Sequence, residues 1–224
     1  DLECGSHYPG DKTTKNQLIE NKIKPRAIHN NCSGKHAGML ALAKHLGSPI
    51  KNYIDKKHIV QKTIMRYIES ITGLDNIATE IDGCSVPTPF LTLQTIATMF
   101  QMLASGKKPE LGQVYNAMSL FPEMIGGSNH FDSLFIDSLK GRGVTKVGGE
   151  SVRGISIKTK NHGPIGIAIK ILDGNFRAMP IITMTLLEHL ELLMKDELRK
   201  LDKFRNNILT NHNGIEYGRM EAYI

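Results

Sequence analysis

Tryptophan is absent from this chain of 224 residues, and the aromatic side chains are limited to 7 Phe and 6 Tyr. Because a nucleic-acid-binding surface combines clustered basic residues with stacking aromatics, and the Lys and Arg residues here are scattered, we expect no nucleic-acid partner. The longest apolar runs, such as Ile181-Ile182, are only a few residues long, which excludes a transmembrane helix of about 20 residues. Three Cys are too few for the disulfide scaffold of a small secreted protein.

The charge that is present is distributed unevenly. The formal net charge is +6, and residues 1–62 carry all of the excess, with 11 basic and 5 acidic side chains. Residues 63–224 carry 17 of each sign. Hydrophobic residues at 40% and charged residues at 22% are typical of a globular protein. The chain begins with Asp1, and we expect it to be the larger part of a longer protein.

Helical periodicity dominates the first half of the sequence. Met39, Leu42, Ala43 and Leu46 recur at helical spacing before Gly47, which predicts a helix capped by Asn31. Similar patterns predict helices over residues 53–72, 91–103, 112–118 and 176–201.

Alternation of period two appears after residue 150. Ile155 and Ile157, and then Ile165, Ile167, Ile169 and Ile171, alternate with small or polar residues around a turn at 161–164. This pattern predicts an antiparallel hairpin with one buried face. Helices followed by such a hairpin indicate an α+β fold, and the absence of βαβ repetition argues against a Rossmann sheet. We treat residues 1–224 as a single domain.

The densest group of reactive side chains is Cys32-Ser33-Gly34-Lys35-His36, with a second Cys in Asp82-Gly83-Cys84. Two thiolates can bind zinc, with His36 or Asp82 as further donors. Cys32 and Lys35 lie three residues apart and so share one side of a helix start. The alternative is two unrelated buried thiols, since no Cys-x-x-Cys pair occurs.

Lysine and serine patterns suggest a second kind of chemistry. Lys146-Val147-Gly148-Gly149 precedes a predicted strand and is similar to the Lys-Thr-Gly element of serine acyl-enzymes, although a surface Lys beside a turn is the alternative. Ser-x-x-Lys occurs at Ser48 and at Ser105, but neither begins an apolar helix, and we reject both. Ser33 and Lys35 are two residues apart and point away from each other on a helix.

Several strings resemble one family in matching order along nearly the whole chain. Residues 29–47, HNNCSGKHAGMLALAKHLG, resemble the signature of the rhizobial-type, thermolabile L-asparaginases. The weaker strings are LECGSHYP (2–9), IDGCSVPTPFLTLQTIA (81–97), AMSLFPEMIGG (117–127), KVGGESV (146–152) and GIAIKILDGNFRA (166–178).

The resemblance implies a fold, an activity and site residues. It implies a serine β-lactamase/glutaminase-like fold, in which an antiparallel sheet flanked by helices accompanies a helical subdomain. It implies hydrolysis of L-asparagine to L-aspartate and ammonia. It implies that one zinc ion is bound by Cys32, Lys35 and Cys84. It also implies that the substrate is bound by Lys35, His36, Asp82 and Gly83, and that Lys146 is catalytic. Val147 stands where the family usually has Thr, and Ser151 where it usually has Gly.

The family's nucleophilic Ser-x-x-Lys has no counterpart at a matching position of this sequence. We therefore expect the nucleophile to lie outside these 224 residues and the chain alone to be inactive. A non-catalytic zinc-binding remnant and a β-lactamase-like serine hydrolase are the alternatives. The expected partners are the substrate L-asparagine and, in a homodimer, a second copy; no membrane partner is expected, and the expected location is the cytoplasm.

Overall fold

The computed structural model describes residues 1–205 and 207–224, which form two compact units, Asp1–Thr92 and Leu93–Ile224. The prediction of a single domain stays a prediction, because a compact unit need not fold independently. Helices and antiparallel strands occur together, which confirms the α+β class. Within the described part of the chain, no helix is long and apolar enough to cross a membrane.

The first unit is mainly helical. Its elements are α1 (Lys12–Glu20), α2 (Ser33–His45), α3 (Ile59–Thr72) and the short antiparallel strands β1 (Thr79–Ile81) and β2 (Pro87–Pro89). Its buried core consists of Cys4, Met39, Ala43, Tyr53, Val60, Cys84 and Val86. Two of the three cysteines are therefore part of this core.

The predicted helices of this unit are present, but their starts differ. The residue that precedes α2 is Cys32, and its backbone N–H donates to the side chain of Asn30 (2.7 Å), so the predicted Asn31 cap is wrong. The helix predicted over 53–72 begins only at Ile59, because the His58 side chain accepts the Val60 N–H and caps α3 there.

The second unit contains the larger sheet. Its helices are α4 (Leu93–Ser105), α5 (Pro109–Leu120), α6 (Glu123–Gly126), α7 (Phe131–Leu139), α8 (Met179–His189) and α9 (Lys195–Lys200). Its strands are β3 (Gly143–Gly148), β4 (Val152–Thr159), β5 (Gly163–Lys170), β6 (Asn207–Thr210) and β7 (Glu216–Met220). Strands β3, β4 and β5 form an antiparallel sheet in that order, which confirms the predicted hairpin as β4–β5.

Both faces of this sheet are covered, so the prediction of one buried face is wrong. On one face, Ile155 and Ile157 belong to the hydrophobic core together with side chains of α7 and α8. On the other face, α4 lies directly on two glycines: a Cβ on Gly154 would overlap the ring of Phe100, and one on Gly166 would overlap the backbone of α4. The missing side chains leave the space that a second helical layer needs.

The long helix predicted over 176–201 is wrong, because the chain leaves the helical path between α8 and α9. Glu191 adopts a left-handed conformation (φ 53°). The guanidinium of Arg142 donates to the carbonyl of Leu192 (2.9 Å) and to Glu197 (2.5 Å), which fixes the break. After α9, the chain forms the antiparallel hairpin β6–β7.

Candidate active site

A tight turn between β1 and β2 presents Asp82 and Cys84. The Asp82 backbone N–H donates to Val86 O (2.8 Å), and the Ser85 N–H donates to Asp82 O (2.8 Å). Ser85 has a φ of 76°, in the left-handed region, which lets the chain reverse within four residues. The turn thus carries Cys84 into the core while Asp82 stays at the surface.

The side chain of Asp82 joins this turn to the start of α2. Its Oδ2 accepts from Lys35 Nζ (3.3 Å) and from Cys84 Sγ (3.4 Å). Cys84 also interacts with Cys32 and with Lys35 closely enough to shift the pKa of each. The structure therefore brings Cys84 together with Cys32 and Lys35, although Cys84 lies far from both in sequence.

The charges of this group follow from burial and from mutual contact. Burial raises the pKa of the Cys32 thiol, and the neighbouring Lys35 only partly opposes it. For Lys35, burial lowers the pKa, but contacts with Cys84, Cys32 and Asp82 outweigh burial and leave the pKa above its usual value. Burial raises the pKa of Asp82, but hydrogen bonding to Cys84 and the charge of Lys35 outweigh it, so the carboxyl pKa is lowered. Burial thus favours the protonated form of the Cys32 thiol, beside the ion pair of Lys35 and Asp82.

The donor set decides which metal this group suits. Two sulfur donors and one amine nitrogen match the preference of Zn²⁺ for sulfur and nitrogen ligands, and a carboxylate oxygen lies adjacent. Among residues 1–205 and 207–224, however, no three His, Cys, Asp or Glu side chains are grouped so as to hold a metal ion. A zinc site would therefore require Lys35 as its third ligand, and zinc binding stays a prediction.

His36 is placed differently from the other residues predicted to bind substrate. Its imidazole is fully buried, and Nδ1 lies 2.6 Å from Tyr53 Oη, which in turn accepts the Glu3 N–H (2.8 Å). Burial, followed by the charge of Lys35, lowers the pKa of His36. The imidazole is thus neutral and lies on the buried side of α2. That it contacts substrate stays a prediction.

The remaining three predicted substrate-binding residues are accessible. Lys35 and Asp82 each expose 42% of their side chains. The Gly83 N–H donates to Asp82 Oδ1 (2.6 Å), and the space beside its Cα is open. These residues offer an ammonium, a carboxylate and uncovered backbone to a small polar ligand.

Lys146 precedes the predicted strand, which is β4, and itself lies within β3, where its partner in the register is Gly154. The side chain is exposed, and Nζ donates to the carbonyl of Val147. The following turn is unusual because Glu150 and Ser151 both have positive φ (55° and 56°). The hydroxyl of Ser151 donates to Asn175 O (3.1 Å), which ties the turn to the segment before α8.

Sequence reasoning missed a buried ion pair close to Lys146. Arg153 Nη1 lies 2.5 Å from Asp132 Oδ1, and both side chains are almost completely buried. A signal for Arg153 was available, because it lies in phase with the core residues Ile155 and Ile157 of the same strand. A charge at a core position requires a buried partner.

The two rejected serines lie at helix ends rather than helix starts. Ser48 follows α2, and its hydroxyl donates to Ala43 O (3.2 Å). Ser105 is the last residue of α4, and its hydroxyl donates to Met102 O (2.8 Å). Both hydroxyls cap carbonyls of the preceding helix.

Comparison with known proteins identifies the family to which this chain belongs. The family model for L-asparaginase II matches residues 1–222. No curated protein matches the chain. Because the family model covers nearly every residue of the sequence, the chain belongs to the L-asparaginase II family.

Proposed function

We propose that the protein hydrolyses the side-chain amide of L-asparagine to give L-aspartate and ammonia. The observation that carries this proposal is the family match over residues 1–222. In the proposed reaction a serine oxygen attacks the amide carbon, and backbone N–H groups stabilise the resulting oxyanion. The C–N bond then breaks, ammonia leaves with a proton, and water hydrolyses the aspartyl ester.

We assign the catalytic lysine to Lys146. Its amine is exposed, and its backbone is fixed by pairing of β3 with β4 in the sheet. When neutral, the amine can accept the proton of a nucleophile; when charged, it can bind an anionic group. No Ser-x-x-Lys of these 224 residues begins a helix. The proposal therefore places the nucleophilic serine outside them.

We assign substrate and metal binding in the first unit to the group around α2. Lys35, Asp82 and Gly83 would contact polar groups of asparagine, with His36 supporting them from the core. Cys32, Lys35 and Cys84 would hold zinc, whose positive charge supplies a fixed electrostatic anchor when it is bound. The residues themselves would keep the turn at 82–86 in place beside the start of α2.

Ammonia release from L-asparagine tests the activity. The full-length gene product should release ammonia, and Lys146→Met should lose at least about a hundredfold in kcat/KM, the scale of removing an acid–base group. Lys160→Met, which removes an exposed lysine from the turn between β4 and β5, is the matched control and should retain activity. A full-length protein that turns over a penicillin but not asparagine would instead support the β-lactamase-like alternative.

Zinc content tests the assignment in the first unit. Cys84→Ser should lower bound zinc and weaken asparagine binding, because it removes one sulfur donor and the hydrogen bonds around it. Cys4→Ser is the control: Cys4 is buried in the same core, but its thiol donates to Ala27 O (3.4 Å). A Cys84→Ser protein that loses zinc yet keeps its substrate affinity would remove any role of zinc in orienting substrate.

A further inference from the structure

We propose that Asp132 and Arg153 are positioning residues for Lys146. The proposal rests on the function proposed above, in which Lys146 takes part in the reaction. Both side chains are buried whereas Lys146 is exposed, so each would act through the backbone of β3. All of the contacts that connect these three residues lie within the second unit.

The two oxygens of Asp132 have different partners. Oδ1 accepts from Arg153 Nη1 (2.5 Å), and Oδ2 accepts from the backbone N–H of Val147 (2.8 Å). Val147 directly follows Lys146, and its carbonyl accepts from Lys146 Nζ. A single carboxylate at the start of α7 is thus connected through one residue of β3 to the amine of Lys146.

The surroundings hold this carboxylate in one orientation. The backbone N–H of Asp132 donates to the imidazole of His130 (3.3 Å), which caps α7. Arg153 Nη1 also donates to Thr145 Oγ1 (3.0 Å), and its guanidinium lies 4.3 Å from the centre of the Phe131 ring. Because the carboxylate and the guanidinium are both bonded and buried, they have little freedom to move.

The position of the contact makes it more than a general support of the fold. Strand β3 is an edge strand of the described sheet, so the N–H of Val147 has a side chain as its acceptor instead of a further strand. Beyond Val147 come Gly148 and Gly149, which have no side chains to pack. The hydrogen bond to Asp132 thus fixes the backbone of β3 immediately next to Lys146, before the turn with positive φ begins.

A different ion pair provides the matched control. Arg142 and Glu197 form a partly buried pair in the same unit, and Arg142 adjoins the opposite end of β3. Glu197→Gln should therefore disturb the fold without changing the position of Lys146. Asp132→Asn keeps the size of the side chain but removes the charge that holds Arg153.

The experiment compares lysine reactivity in these variants of the full-length protein. Limited acetylation with acetic anhydride, followed by mass spectrometry of the peptides, measures the reactivity of Lys146 relative to the exposed Lys160. We expect Asp132→Asn to change this ratio and to lower kcat for asparagine by about tenfold to a hundredfold with little change in KM. We expect Glu197→Gln to change neither the ratio nor kcat. An unchanged ratio in folded Asp132→Asn, or an equal change in both variants, would overturn the proposal.

Hydrogen exchange in the unaltered protein keeps the proposal testable even where Asp132→Asn fails to fold. The Val147 amide should exchange slowly, because its N–H is bonded to a buried carboxylate. Exchange as fast as that of the Gly149 amide would contradict the proposal. Neither acetylation nor hydrogen exchange requires turnover. A failure of this proposal can therefore be distinguished from a failure of the proposed asparaginase activity.

Discussion

Replacing a glycine beneath α4 tests whether this helix lies directly on the sheet. In Gly166→Ala the new Cβ would overlap Ala97 O and the backbone nitrogen of Gln101, and main-chain atoms of α4 cannot rotate away. In Gly154→Ala it would overlap the ring of Phe100, which is a side chain. Overfilling a packed interior costs about 1–3 kcal/mol, occasionally more. We expect Gly154→Ala to lie within that range and Gly166→Ala at or above its upper end.

Urea unfolding measures both effects as a change in the free energy of unfolding. Gly112→Ala is the control, because nothing lies within 4 Å of the added Cβ and Gly112 is inside helix α5. It should stabilise the protein by about 0.5–1 kcal/mol. Combining Gly154→Ala with Phe100→Leu should recover part of the loss, since the two sites interact directly. A Gly166→Ala protein with the stability of the unaltered chain would refute the direct packing of α4 on β5.

Three further changes address single contacts. Tyr53→Phe removes the hydroxyl that contacts His36, and it should lower the free energy of unfolding by about 1–3 kcal/mol in urea; no loss would mean that the contact contributes nothing. Burial raises the pKa of Tyr115 from 10.0 to about 12, so the folded state holds this proton more tightly than the unfolded state. Stability from this group is complete below pH 10 and falls by about 3 kcal/mol as pH rises from 10 to 12. Tyr115→Phe should lack that part of the decline in unfolding titrations, and an identical pH curve would contradict the assignment. Glu197→Gln weakens the ion pair with Arg142 and should lower the free energy of unfolding by about 1–3 kcal/mol, measured by thermal unfolding. An unchanged midpoint would show that the pair contributes nothing to stability.

Local sequence patterns predicted the elements that local forces determine. The apolar spacing in α2 and the alternation in β4 and β5 each reflect contacts between residues close in sequence, and both elements are present. The break between α8 and α9 depends instead on Arg142, about fifty residues upstream of Leu192. No pattern within residues 176–201 records that contact, so periodicity alone predicted one continuous helix.

The candidate site was predictable to different degrees. Cys32 and Lys35 lie in one helical turn, so their proximity followed from spacing. Cys84 was predicted as the second thiolate, but no spacing in the sequence places it beside Cys32; the structure brings it to them through the turn at 82–86. Arg153 lies in phase with Ile155 and Ile157, but its partner Asp132 is 21 residues away in sequence, so the alternation alone does not reveal the ion pair.

The turn at Glu150 and Ser151 has a consequence for how this sequence can change. Ser151 is not a glycine, yet its backbone has the left-handed conformation that glycine adopts freely. The surrounding bonds impose this conformation: Lys170 Nζ donates to Glu150 O, the Ile171 N–H donates to Ser151 O (3.0 Å), and the Ser151 hydroxyl reaches Asn175. The path of the chain here is therefore imposed by contacts from neighbouring segments rather than by a glycine at position 151. Glycine and serine should therefore be interchangeable at this position while the end of β3 keeps its shape.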